Sequence, residues 1–208
     1  MLSEIFKLFW KTVERKDARR INSQTPPTEI EQFCDIQYID DGLWQHRLDV
    51  YSKSGKLSHR PVIIDIHGGG WMYGTKEINK NYCLVLAQND YVVVNINYRL
   101  APDFSVADQL RDCFSAFKWV STNIEKYGGD LNNVFVTGDS AGGFLAAYSA
   151  LLNSSEKLRK IFGVTESGLE FRACGLTSPV CFMNTHTFQD VYYSRVKGKE
   201  FSESTLRG

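Results

Sequence analysis

Several protein classes are excluded by what this sequence lacks. It has no net formal charge, 24 Lys and Arg facing 24 Asp and Glu, so the basic excess with which a nucleic-acid binder gathers phosphates is missing. Its five cysteines, Cys34, Cys83, Cys113, Cys174 and Cys181, are odd in number and include no C-x-x-C pair, which argues against a disulfide framework and a zinc ribbon. Reduced thiols and a cytoplasmic location are therefore expected. No apolar run is long enough to span a membrane, and Glu4, Lys7 and Lys11 break up the N-terminal apolar residues too often for a signal-peptide core. There is no G-x-G-x-x-G. Gly69 and Gly74 have the spacing of a phosphate loop, but Thr75-Lys76 follows where Lys and then Ser or Thr are required. Dinucleotide and P-loop chemistry are disfavoured.

What remains is an ordinary globular composition, 43% hydrophobic in 208 residues, enough for one domain with a sizeable core. Leu2, Ile5, Phe6, Phe9 and Val13 recur at helical spacing, among six Lys or Arg and three acids in the first twenty residues. Such a helix ordinarily packs on its own protein; its alternative is contact with an anionic membrane surface. After Pro26-Pro27, residues 35–39 and 46–52 read as a hairpin around Asp40-Asp41-Gly42. Residues 61–67 (PVIIDIH) and 91–98 (YVVVNINY) are dense in β-branched residues, as in strands buried on both faces. Helices are expected over 76–88 and 106–127, the second with a buried stripe of Leu110, Phe114, Phe117 and Val120 or Ser121. A strand at 133–137, a helix at 141–152 and a strand within 171–180 complete an α/β doubly wound, mostly parallel sheet.

Two motifs carry the chemistry. Gly138-Asp139-Ser140-Ala141-Gly142-Gly143 is G-x-S-x-G between a predicted strand and a predicted helix. By composition alone one such match arises with a probability of roughly 0.1, so its placement is what matters. A serine on that sharp turn projects its hydroxyl, the flanking glycines relieve crowding, and the helix N-terminus offers free N–H groups to an oxyanion. A plain glycine turn with a helix-capping serine is the ordinary alternative. His67-Gly68-Gly69-Gly70-Trp71, at the end of a strand, has a chance probability of roughly 0.002. Its bare glycines let backbone N–H groups approach a substrate, so Gly68 and Gly69 are expected to join Ala141 as oxyanion donors, with His67 structural.

HGGGW at 67–71, YRLAP at 98–102 and YGGDLNNVFVTGDSAGG at 127–143, in this order, resemble the hormone-sensitive-lipase-like branch of the α/β-hydrolase fold over residues 33–182. The resemblance implies a serine carboxylesterase or lipase-like hydrolase acting on a small-molecule ester without cofactor or metal. Ser140 would be the nucleophile, with Gly68, Gly69 and Ala141 as oxyanion donors. His67, Gly70, Asp139, Gly138 and Gly142 would support the loop and the elbow. It also implies a division into an N-terminal cap segment (1–32), the hydrolase core (33–183) and the start of a cap insertion or a tail (184–208). The family's triad acid and base follow later strands, so the fold is expected to be incomplete, lacking its last two strands and their helices, and the chain inactive. His186 is the one histidine after Ser140, with Asp190 four residues on, and is the weak candidate base. A non-catalytic ligand-binding or interaction protein on the same scaffold is the alternative, as in the plant gibberellin receptors, because fold alone does not decide function.

Overall fold

The structure, a computed structural model, describes residues 2–55, 59–181, 196 and 201, with backbone only for residues 2–7. Helix α1 (Leu2–Asn22) leads into β1 (Ile30–Gln37), β2 (Arg47–Lys53) and β3 (Arg60–Ile66). Then come α2 (Lys80–Gln88), β4 (Val92–Ile96), α3 (Val106–Asn123), β5 (Gly129–Asp139), α4 (Ser140–Asn153), α5 (Glu156–Phe162) and β6 (Phe171–Thr177). The strands form one sheet in the order β1-β2-β4-β3-β5-β6. The β1–β2 and β2–β4 pairs are antiparallel; β3 runs parallel to β4 and β5, and β5 to β6. Among the described residues β6 is paired on one side only.

The β-branched runs are central because both of their faces are covered. Val92, Val94 and Ile96 pack into a large core with Leu110, Phe114 and Phe117 of α3 and Leu145 of α4. Val93 points the other way, to Cys83, Leu84 and Ala87 of α2. The α3 stripe resolves in favour of Val120, which is fully buried. A Ser105–Asp108 capping box starts that helix.

Where the elements depart from the sequence pattern, tertiary hydrogen bonds are the reason. The helix expected over 76–88 breaks at Asn79 into a 3₁₀ turn, Lys76–Ile78, and α2. The Lys76 N–H donates to Asn97 Oδ1 (2.7 Å), and its buried ammonium lies 3.0 Å from Asp49, so this stretch is pinned across the sheet instead of following the helix. The helix expected over 106–127 ends at Asn123, and a 3₁₀ turn, Ile124–Tyr127, closes on Gly128 at φ +83°. Helix α5 was without a sequence signal strong enough to predict it; Ser155 caps its start and Gly163 its end.

Of the stripe predicted on the N-terminal helix, the side chains of Leu2, Ile5 and Phe6 lie outside the described residues, Val13 faces inward as expected, and Phe9 does not. Phe9 is 56% exposed, whereas Trp10 stacks on Tyr73 with ring centroids 5.4 Å apart. The flat indole finds an aromatic partner in Tyr73, and that contact sets Trp10 and Asp17, rather than Phe9, beside Val13 on the inward side.

Candidate active site

Ser140 stands where β5 ends and α4 begins, at φ +51°, a left-handed conformation that a residue with a Cβ adopts only under constraint. The constraint is visible in the glycines around it. A Cβ on Gly138 would lie 2.7 Å from the Ile66 carbonyl oxygen, and one on Gly142 would lie 2.5 Å from that of His67. Both positions are therefore closed to any side chain, and the spacing of G-x-S-x-G is a record of how tightly the elbow is folded onto the end of β3.

The HGGG loop leaves the neighbouring end of β3. Gly69 (φ +116°) and Gly70 (φ +58°) turn the chain back towards Ser140. His67 is fully buried and stacks on Tyr98, centroids 4.4 Å apart. Its Nδ1 is 2.7 Å from the Gly68 carbonyl oxygen, and the Tyr98 hydroxyl donates to the His67 carbonyl at 2.7 Å. Burial pulls the imidazole down to about 4, so it is neutral at ordinary pH, and Nδ1–H is the donor to Gly68.

Asp139 ties the two motifs together. Its Oδ1 accepts from the Gly68 N–H (2.9 Å) and from the Asn79 side-chain amide (2.9 Å). The same amide donates to Asp65 Oδ2 (2.9 Å) on β3. Asp65 is buried, and desolvation, reinforced by the negative charge of Asp139 and opposed by the Asn79 hydrogen bond, pushes its carboxyl from 3.8 up to about 7. This arrangement differs from the expected donor set in one respect: the Gly68 N–H is already engaged by Asp139. Gly69 and Ala141 carry backbone N–H groups to which no acceptor is assigned among the described residues. Ala141 lies in the first turn of α4, where N–H groups have no intrahelical acceptor.

Around Ser140 opens a cleft of 360 Å³, lined by Gly68, Gly69 and Gly70, by Tyr73, Asn79 and Asp139, and by Trp10, Val13, Asp17 and Arg20 of α1. Arg20 is held by Asp17 at 3.2 Å, and the Tyr73 hydroxyl donates to the same carboxylate at 3.3 Å. The Trp10–Tyr73 pair separates this cleft from a second one of 470 Å³, walled by Met72, Leu100, Pro102 and Phe104.

Ser140, Gly69, Gly70, Asp139 and the inner face of α1 are thus gathered at one cleft. His186 and Asp190 lie outside the described residues. Sequence reasoning missed Asn79, the Tyr98 support and the lining from α1. YRLAP was legible as a block, but no local pattern says that its tyrosine holds the HGGG loop. Asn79 had no signal except the unexpected break in its helix.

The family model BD-FAE matches residues 48–183. Carboxylesterase NlhH of Mycobacterium tuberculosis is 34% identical over 145 residues, covering 67% of this chain and 45% of its own. Arylacetamide deacetylase of Oryctolagus cuniculus is 46% identical over 130 residues, covering 60% and 32%. The chain spans less than half the length of either curated relative. Esterase B from Lactobacillus rhamnosis, solved as a tributyrin phosphonate complex, superposes with a TM-score of 0.91 at 31% identity, over 99% of this chain and 67% of that one. With its sheet order, its serine elbow and a family model matched over more than half its length, the chain belongs to the BD-FAE family, carboxylic ester hydrolases of the α/β-hydrolase fold.

Proposed function

We propose that the complete protein hydrolyses uncharged carboxylic esters of short or medium acyl chain through an acyl-enzyme on Ser140. The observation that carries this reading is the left-handed Ser140 at the head of α4, facing the HGGG glycines across a cleft. The serine Oγ attacks the ester carbonyl carbon, and the carbonyl oxygen becomes an oxyanion. Backbone N–H groups of Gly69 and Ala141 receive that charge at no reorganisation cost, because strand, loop and helix already fix them. Collapse of the intermediate expels the alcohol, which carries away the serine's proton; water then adds to the acyl-serine, a proton of that water returning to the serine oxygen as the acid is released. In this reading Gly68 and Asp139 hold the loop against the elbow, and His67 is a structural prop, being buried and bonded to Gly68. Among the described residues none is assigned as general base or as its acid partner.

The relatives support the reaction class: one is a carboxylesterase, another a deacetylase, and the esterase B structure carries a phosphonate inhibitor. An apolar preference follows from the aromatic and aliphatic lining and from the neutralisation of Arg20 by Asp17. The test is labelling of the complete protein with a fluorophosphonate, together with a p-nitrophenyl ester series and a phosphomonoester. Labelling at Ser140, lost in Ser140→Ala, with ester hydrolysis is expected. Unchanged labelling in that variant, or hydrolysis of the phosphomonoester alone, overturns the assignment.

A further inference from the structure

The cleft accounts for one side of α1 and leaves the other unexplained. Trp10, Val13, Asp17 and Arg20 face inward. A helix turns about 100° per residue, so Leu8, Thr12, Arg15 and Arg19 stack on the opposite side, with Phe9 and Lys16 beside them. Leu8 is 68% and Phe9 56% exposed, the two most exposed large apolar side chains among the described residues. Arg15, Lys16 and Arg19 are exposed and make no ion pair with any described residue, in contrast to Arg20, which Asp17 neutralises. No acid shares their face between positions 8 and 19: Asp17 points into the cleft, and Glu14 lies to the side, at the second cleft.

An apolar pair at one end of an outward helix face, followed by three cations that pair with no acid among the described residues, combines the two weak signals that together hold a protein on a negatively charged bilayer. We propose that the outward face of α1 docks on an anionic lipid surface, with Leu8 and Phe9 entering the acyl boundary and Arg15, Lys16 and Arg19 meeting headgroup phosphates. The charge pattern selects this occupant: water-exposed leucine and phenylalanine gain nothing from the cations beside them, whereas a phosphate-bearing apolar layer satisfies both. Because the inner face of the same helix lines the Ser140 cleft, docking would place the bilayer within about one helix diameter, roughly 10 Å, of the cleft wall. The inference does not depend on the chain being catalytically competent.

The experiment is co-sedimentation of the 208-residue chain with vesicles of phosphatidylcholine alone and of phosphatidylcholine mixed with phosphatidylglycerol. Binding to the mixed vesicles only, declining as salt is raised, is expected. Each lost cation should weaken partitioning about fivefold, so the combined Arg15→Glu, Lys16→Glu and Arg19→Glu variant should lose at least roughly 100-fold. Leu8→Ser with Phe9→Ser should lose roughly tenfold, with circular dichroism showing that the exposed substitutions leave the fold intact. Equal binding to both vesicle types, insensitivity to charge reversal, or no binding to either overturns the proposal. A dimer that dissociates in the Leu8→Ser, Phe9→Ser variant while vesicles go unbound does so as well, and assigns the face to a second copy of the chain.

Discussion

Replacing Asp65 by asparagine should make the protein less sensitive to pH, and the size of the effect follows from where the carboxyl sits. Asp65 is 1% exposed on β3, accepts the Asn79 amide and faces the charge of Asp139 across that amide. In the fold it titrates at about 7 instead of 3.8. The unfolded chain releases this proton from about pH 4 upward while the native state retains it, so the native state binds more protons between the two values. Stability therefore falls as pH rises from about 4 to about 7 and is level beyond, and the full decline is about 4 kcal/mol. Between pH 5 and pH 8 the share is roughly 2–3 kcal/mol. Asparagine has the same size, still offers a carbonyl oxygen to Asn79 and cannot ionise. Urea denaturation of wild type and Asp65→Asn at both pH values should show the variant gaining that amount on wild type from pH 5 to pH 8, or about 1 M in midpoint. A stability difference that stays constant over this range would mean that Asp65 is already ionised at pH 5, and the desolvation argument would be wrong.

Two further outcomes follow from the same geometry. Gly142→Ala should destabilise by about 1–3 kcal/mol or more, because its Cβ collides with the Ile66 and His67 carbonyls; Gly163→Ala, whose nearest neighbour is an Arg111 side-chain atom at 3.4 Å, should lose only about 1 kcal/mol to backbone strain. Equal urea midpoints for the two variants would contradict the packing described at the elbow. The His46 ring should titrate above 6.5 by NMR: burial opposes its charge, but Asp112 at 3.2 Å and Asp41 at 2.7 Å outweigh it. The stability it contributes is full below pH 6.5 and lost as pH rises through the folded value, and titration below 6.5 would refute the pairing.

The sequence by itself determined the sheet and the elbow. Runs such as PVIIDIH and YVVVNINY are legible because a strand covered on both faces tolerates little except β-branched and apolar residues, a local rule with a local signature. The G-x-S-x-G and HGGG motifs are legible for a related reason, since a backbone forced against another backbone admits only glycine, as at Gly142. Tertiary structure alone decided the rest. Asn79 becomes part of the site because a break in its helix lets one amide reach both Asp65 and Asp139, fourteen and sixty residues away. Gly68 is withdrawn from the expected donors by a hydrogen bond to Asp139, 71 residues later in the chain. On α1, Phe9 is exposed while its neighbour Trp10 stacks on Tyr73, a contact that the helix's own periodicity does not announce. Hydrogen bonds and ring contacts between distant segments leave no spacing in the sequence, whereas steric exclusion at a turn or in a buried strand does.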